Sequence, residues 1–284
     1  MHQIMLAQPN LQGDETPCQV LREPGKSASS KSYIWVIRSV RDAKQPVVYY
    51  AYGNSRSGTF AQRIYSGYTG TLQCDGYSGY NALGDAVNRV GCWVHVRRKF
   101  FNAAQQGGGN LKPSKGLELI DQMFHLEHEW RDFSAEERQT KRDCELRPVM
   151  TKFWQWCDKA VETPKSALGR ALTYARNQRQ ELIKVLEHGT IDLSNNASER
   201  SVKQYVIGRK NWLFSTIPDG ATANAIWLSL IESAKANGLD PREYIEFVLE
   251  GMSQLSEAPS PEQLAAYLPW NCEQSQQHEF EKIV

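Results

Sequence analysis

Three acidic residues that lie far apart in the chain have the chemistry of a reaction centre. Asp14 opens a run with strand character, Asp75 follows another such run, and Glu199 stands in the first turns of a predicted helix. Carboxylates are hard oxygen ligands that suit Mg²⁺ or Mn²⁺. Two such ions about 4 Å apart activate an attacking oxygen and stabilise a leaving one in an in-line displacement. An acidic set carried on two strands and a helix is therefore what a two-metal phosphoryl-transfer site requires.

The elements that must position these acids are predicted from residue alternation and turn signals. Strands are predicted over 14–21, 33–40, 46–52, 70–74 and 90–96, and helices over 57–65 and 81–88. The short connection over 41–45 indicates a hairpin, so the first three strands are expected to be antiparallel. This order predicts an α/β fold with an RNase H-like mixed sheet flanked by helices.

A helical pattern begins near Phe100. Residues 117–133, 149–160 and 166–186 carry apolar side chains at helical spacing, and Ser134 with Glu137 forms a predicted capping box. We predict four segments: residues 1–100 as the first part of the core, 101–190 as a helical insertion, 191–252 as the second part of the core with the Glu199 helix, and 253–284 as a C-terminal tail.

Composition narrows the class of protein. The chain has 284 residues, a net charge of +1 and six cysteines, and it has no apolar run of membrane-spanning length. Cys18, Cys74 and Cys92 fall in predicted core strands, where reduced cysteine behaves as a small hydrophobe, so a reducing cytoplasm is expected. Because the net charge is near zero, any contact with nucleic acid must come from local basic clusters.

Eight ordered motifs carry a family resemblance. They are DETPCQVL from Asp14, LQCDGYSGYNAL around Asp75, CWVHVRRKF, PKSALGRAL, NNASER with Glu199, GRKNWLF, LIESAKANGLDP and LPWN. Together they resemble the transposases of bacterial insertion sequences of the sixty-six type, a branch of the RNase H-like DDE transposases. Members of that family are usually much longer, so the resemblance implies that this chain corresponds to a C-terminal catalytic part.

The resemblance implies metal-dependent DNA cleavage and strand transfer. Asp14, Asp75 and Glu199 are then the catalytic metal ligands for two Mg²⁺ or Mn²⁺ ions. The implied partners are the DNA of the element ends and of the target, further copies of the chain on DNA, and accessory proteins of the same element, with no membrane. The implied location is the cytoplasm, in association with the nucleoid. Two alternatives stay open: a nuclease of the same fold without strand transfer, and an inactive remnant that binds DNA or a partner transposase.

Further residues beside these acids are candidates for DNA contact or for support of the site. Two basic clusters are expected to contact phosphates, the alternative being solvated surface charge: Arg97, Arg98 and Lys99, and Arg200, Lys203, Arg209 and Lys210. For Lys203 the alternative is a surface pair with Glu199 one turn away. Cys92 and His95 form a C-x-x-H pair with a structural or supporting role expected. Trp212 and Phe214 are expected to pack in the core, with base stacking as the alternative.

Overall fold

The computed structural model describes residues 1–106 and 111–272, and it is an α/β fold with a five-stranded mixed sheet and many flanking helices. The predicted fold class is confirmed. The strands are β1 (Asn10–Gln19), β2 (Lys31–Ser39), β3 (Val48–Gly53), β4 (Thr71–Cys74) and β5 (Asn88–Gly91). The helices are α1 (His2–Leu6), α2 (Gly58–Ile64), α3 (Trp93–Gln106), α4 (Leu111–Glu129), α5 (Ala135–Lys141), α6 (Arg147–Lys159), α7 (Ala167–Asn177), α8 (Arg179–Ile183), α9 (Asn196–Trp212), α10 (Pro218–Ala236), α11 (Pro241–Ser253) and α12 (Pro261–Ala265).

The chain divides into two compact units. The first takes residues 1–68 and the chain from Ser198 onward, and the second takes residues 69–197. These units are defined by the compactness of the chain, whereas the four predicted segments are defined by a helical insertion into a core. The bounds of those four segments therefore remain a prediction. Residues 273–284 of the predicted tail lie outside the described residues.

The first unit is built on an antiparallel strand run. β1 pairs with β2, and β2 pairs with β3, as the predicted hairpin and strand run require. One face of these strands buries Ile34, Val36 and Tyr50 against Tyr205 of α9 and Ala225 of α10. β-Branched and aromatic residues favour such a half-buried pleated surface, which is why this part of the fold is readable from the sequence.

The outer edge of β3 is covered by hydroxyl groups of α10. Ser233 Oγ accepts the Val48 N–H at 2.9 Å and donates to the Val48 carbonyl oxygen at 3.1 Å. One turn earlier, Ser229 Oγ accepts the Tyr50 N–H at 2.8 Å. Because the two serines lie four residues apart on one helical face, they satisfy alternate residues of the strand edge that would otherwise template pairing with another strand.

The second unit combines the parallel pair β4 and β5 with the helices from α3 to α8. Its core is aromatic, with Trp93 packed against Phe153 and Trp154 at ring-centroid distances of 5.4 and 5.7 Å. The predicted capping box of Ser134 and Glu137 is confirmed at the start of α5. Helices α5 and α6 are joined by a π-helical turn, Arg142–Leu146.

A buried arginine in that π-helical turn connects distant parts of the second unit. The Arg142 guanidinium is fully buried and pairs with both carboxylate oxygens of Glu127, at 2.5 and 2.7 Å. Its remaining N–H groups donate to the carbonyl oxygens of Val185, His188 and Ile191, at 3.0, 2.6 and 2.6 Å. All five donors of the guanidinium are therefore used, and the segment that follows α8 is fixed against α4 and the π-helical turn.

Three local predictions are wrong in instructive ways. β1 begins at Asn10, so Asp14 lies in the middle of a strand and does not open it. The strand predicted over 90–96 ends at Gly91 and becomes α3, because Trp93, Val96, Phe100 and Ala103 are buried at helical spacing. The helix predicted over 81–88 is a 3₁₀ segment, Ser78–Ala86, interrupted at Gly84 by a positive φ of 62°.

Candidate functional site

Asp14 lies on the face of the antiparallel strands that packs against α9. It pairs with Val36 of β2, which in turn pairs with Tyr50 of β3. Since directly paired residues point to the same side of a sheet, Asp14 shares its face with these two core residues. The carboxylate is half-buried, and its Oδ1 accepts the N–H of Glu15 at 2.8 Å. This bond orients the carboxylate on the strand.

Glu199 is the fourth residue of α9, whose early turns lie on that same face. The Tyr50 hydroxyl donates to the Ser201 carbonyl oxygen at 2.7 Å, two residues after Glu199. Arg38 Nη1 donates to Ser201 Oγ at 3.1 Å from the same side of β2. The structure therefore brings Asp14 and the helical turn that bears Glu199 to one face of the first unit.

Arg38 is a charged residue of this face that the sequence analysis does not identify. Burial, and then the positive charge of Arg200, lower the pKa of its guanidinium. Arg38 follows Ile34 and Val36 at intervals of two residues in the apolar run YIWVIRSV. Because residues two apart on a strand share one face, this spacing indicates a charge on the buried face. Two neighbouring arginines on one face favour an anion, and DNA phosphate has that chemistry.

Asp75 belongs to the second unit, directly after β4. Its Oδ1 accepts the Tyr77 N–H at 2.9 Å, which is an Asx-turn that fixes the carboxylate at the end of the strand. Gly76 allows this turn to approach the C-terminal end of α7, since a Cβ there would lie 2.8 Å from Cδ of Gln178, the residue after the helix. Burial first, and then the charge of Asp75, raise the pKa of Tyr174 in α7 to about 12.

The second carboxylate oxygen of Asp75 is available to a ligand. Asp75 is half-buried and forms no ion pair with any residue that the structure describes. Its Oδ2 likewise makes no hydrogen bond within the described ranges. A carboxylate oxygen is one of the hard ligands that a divalent cation such as Mg²⁺ accepts.

Cys92 and His95 flank the start of α3 and do not lie on a strand. Cys92 is buried, and its Sγ accepts the backbone N–H of Asn195 at 3.4 Å. The N–H of Trp93 donates to the Leu193 carbonyl oxygen at 2.8 Å. These contacts attach the segment before α9 to the start of α3. The supporting role of Cys92 and His95 stays a prediction.

The two basic clusters differ in how many of their side chains already contact other groups of the protein. In α3, Arg97 pairs with Asp121 at 2.6 Å, Lys99 lies 4.6 Å from the Tyr174 ring centroid, and Arg98 is exposed. In α9, Arg200, Lys203 and Lys210 are exposed and form no ion pair in the described part of the chain. Arg209 donates to the Pro17 carbonyl oxygen.

Lys203 makes no ion pair with Glu199, so the alternative of a surface pair is not realised within the described residues. The α9 cluster is therefore the freer of the two to contact phosphate.

The expected core packing of Trp212 and Phe214 is wrong. Trp212, Leu213 and Phe214 are 38%, 62% and 41% exposed. Helix α9 ends at Trp212, and Leu213 has a φ of +65°, in the left-handed region. The Phe214 N–H donates to the Trp212 carbonyl oxygen at 2.7 Å, which closes a tight turn around Leu213. This turn places three consecutive large apolar residues at the surface.

No helix among the residues that the structure describes is both long and apolar enough to cross a membrane.

Comparison with known proteins gives a family for the chain. The sequence model of the Transposase IS66 family matches residues 1–223, and that of the IS66 C-terminal element matches residues 229–270. The chain is 32% identical over 282 residues to the uncharacterized protein y4jD of Sinorhizobium fredii, covering 93% of this chain and 54% of that protein. It is 27% identical over 273 residues to the uncharacterized protein y4qI of the same organism, covering 91% of this chain and 50% of that protein.

The chain spans about half the length of these curated relatives. The matched region nevertheless contains Asp14, Asp75, Glu199 and both basic clusters. On the extent of the family match, the chain belongs to the IS66 transposase family.

Proposed function

We propose that this chain is the catalytic part of a DNA transposase that cuts the ends of an insertion sequence and joins them to target DNA. The observation that carries the proposal is the face of the first unit where Asp14 lies with the early turns of α9, in a chain of the IS66 transposase family. Asp14, Asp75 and Glu199 are the proposed catalytic residues. Their carboxylate oxygens are potential metal ligands. Asp14 lies within β1, Asp75 directly after β4 and Glu199 in the first turn of α9.

The donor set fits divalent magnesium or manganese. All three groups are carboxylates, all three are half-buried, and Asp75 keeps one oxygen without a hydrogen bond from a residue that the structure describes. Hard oxygen ligands of this kind prefer Mg²⁺ or Mn²⁺ over softer metals. When bound, two such ions supply Lewis acidity and stabilise negative charge on the attacking and leaving oxygens.

The residues of the chain position the DNA for two successive displacements. In the first, water attacks a phosphodiester at the element end, so that a P–O bond forms and the bond to the 3′ oxygen breaks to release a 3′-OH. In the second, that 3′-OH attacks a target phosphodiester and releases a target 3′-OH. Neither step requires a covalent protein–DNA intermediate. The first step hydrolyses one phosphodiester and consumes a water molecule, and the second exchanges one phosphodiester for another.

The remaining residues of the proposed site bind or orient. The Glu15 and Tyr77 N–H groups hold the carboxylates of Asp14 and Asp75 in fixed orientations. Arg38 and Arg200 place positive charge beside the face that carries Asp14. The exposed cations of α9, with Arg97, Arg98 and Lys99 of α3, are proposed to contact the phosphate backbone, which makes affinity fall as salt rises.

The proposed partners follow from this reaction. They are the DNA of the element ends, the target DNA, further copies of the chain assembled on DNA, and accessory proteins encoded by the same element. Association with the nucleoid in the cytoplasm is proposed for the same reason.

A strand-transfer assay tests the proposal. The purified chain is incubated with a labelled duplex of the element end and a supercoiled plasmid, with Mg²⁺ or with chelator. Mg²⁺-dependent joined products are expected. Cut ends without joined products would identify a nuclease of this fold, and DNA binding without cutting would identify an inactive remnant; either result overturns the proposal.

A further inference from the structure

The strongest unassigned feature of the chain is the Leu213 turn, which consists of Trp212, Leu213 and Phe214. On one side it is continuous with α9, and the Leu213 N–H donates to the Arg209 carbonyl oxygen at 2.7 Å. On the other side Ser215 bridges to Val20, and the Ser215 N–H donates to the Gln19 carbonyl oxygen at 2.9 Å. The turn is therefore anchored at both ends while its apolar side chains are exposed.

The conformation of Leu213 is unfavourable for a leucine. Its positive φ lies in a region that glycine and asparagine enter easily and that side chains such as leucine rarely adopt. Burial of the side chain does not repay this strain, since 62% of the residue is exposed. Strained backbone that carries an exposed apolar side chain is a feature typical of functional contacts.

The partner chemistry follows from the charges around the turn. From Arg200 to Ile231 the chain has four basic residues, Arg200, Lys203, Arg209 and Lys210, and one acidic residue, Asp219. Three of the four cations are exposed and form no ion pair within the described ranges. An apolar tip beside unpaired cations fits a polyanion with apolar faces, and nucleic acid has both.

We propose that the Leu213 turn binds unstacked bases where a DNA duplex opens, with Leu213 inserted against the last base pair and Trp212 or Phe214 stacked on an unpaired base. This inference rests on the proposed function, because it specifies the DNA structure that the same protein recognises. Apolar side chains gain little from the outside of an intact duplex, where phosphates are presented. They gain from base faces, and these are accessible only where pairs are opened or steps are unstacked.

Binding of two matched DNAs tests this inference. One is a fully paired duplex, and the other has one strand of the same sequence but three mismatched pairs at one end. Both DNAs carry 2-aminopurine at the same position, in the pair next to those three. The protein variants are wild type, Leu213→Asn and Leu249→Asn. Asparagine accepts the left-handed backbone, so Leu213→Asn removes the apolar group and retains the turn. Leu249 is an exposed leucine of α11 (52%) and serves as the matched control.

Wild type and Leu249→Asn are expected to prefer the opened DNA by about tenfold or more, with a rise in 2-aminopurine fluorescence. Leu213→Asn is expected to lose most of that preference while its affinity for the paired duplex stays the same. Equal preference in wild type and Leu213→Asn, or no preference in wild type, would overturn the inference. A changed sedimentation coefficient in Leu213→Asn with unchanged DNA binding would also overturn it, because the turn would then be a protein–protein contact.

The two proposals fail in distinguishable ways. If wild type joins DNA strands but Leu213→Asn keeps its preference for opened DNA, the inference fails and the proposed function stands. If the preference depends on Leu213 but no joined product forms, the inference stands and the proposed function fails.

Discussion

At the scale of single residues, the clearest departure from ordinary backbone chemistry is Leu213. A left-handed conformation costs a residue with a Cβ about 1–2 kcal/mol, and the exposed side chain returns little of that cost. By contrast, Asp14 and Asp75 are held by backbone N–H groups in ordinary strand and turn geometry. The backbone of the two aspartates is therefore unstrained, whereas that of Leu213 is not.

Replacement of Leu213 measures how much the left-handed conformation lowers the stability of the fold. Leu213→Asn is expected to raise the free energy of unfolding by about 0.5–1 kcal/mol, because asparagine tolerates the turn and the lost side chain is mostly exposed. Leu249→Asn, which lies in a regular helix, is expected to lower stability slightly. Urea unfolding at equilibrium measures both. A loss of more than about 1 kcal/mol in Leu213→Asn would show that this leucine stabilises the fold.

At the scale of elements, Arg142 joins α4 to the segment that follows α8. Arg142→Met keeps the length of the side chain but leaves Glu127 buried without a partner and three carbonyl oxygens without donors. We expect a loss of about 3–5 kcal/mol of unfolding free energy, measured by urea titration. Arg147→Met, at an exposed pair with Asp143 one turn later, is the control and is expected to change little.

A double replacement distinguishes the buried charge from the bridging role of Arg142. Adding Glu127→Met to Arg142→Met removes the unpaired carboxylate and is expected to restore part of the lost stability. If the double variant is no more stable than Arg142→Met, the carbonyl contacts carry the effect, and the explanation by an unpaired buried charge is wrong.

The serines of α10 make a second prediction at this scale. Ser233→Ala leaves the Val48 N–H without its acceptor at a buried strand edge, so we expect a loss of about 1–3 kcal/mol. The exposed Ser253, whose Oγ donates to the Glu250 carbonyl oxygen near the end of α11, is the matched control. Denaturant unfolding and light scattering check both stability and strand-edge association. Unchanged stability in Ser233→Ala would mean that water replaces the hydroxyl.

At the scale of the whole molecule, the sequence predicts the antiparallel strands, the helices that follow Phe100 and the family. Strands and helices are predicted because residue alternation and helix capping depend on neighbouring residues. The family is predicted because its motifs occur in a fixed order along the chain. The end of β5 is mispredicted because residues 90–96 form an apolar run too short to distinguish periods of two and 3.6. The burial face becomes clear only when Phe100 and Ala103 are included.

Other features have no local signal at all. Arg142 bonds residues 15 to 49 positions away, so nothing next to it in the sequence indicates that it is buried. The apolar side chains of Trp212, Leu213 and Phe214 predict burial, and no glycine in the sequence indicates the left-handed turn that exposes them. The roles of Asp14, Asp75 and Glu199 are implied by motif order, and their joint action is a matter for experiment.

Strand transfer by carboxylate variants tests the proposed two-metal site. Asp14→Asn, Asp75→Asn and Glu199→Gln are each expected to lower Mg²⁺-dependent joining by about a thousandfold or more, since several kcal/mol of charge stabilisation depends on the ligands. Asp85→Asn is the matched control, because Asp85 is exposed and lies ten positions after Asp75. Joined products are expected in wild type and Asp85→Asn alone. Joining that survives any of the three carboxylate replacements in a folded protein would contradict the proposed two-metal site.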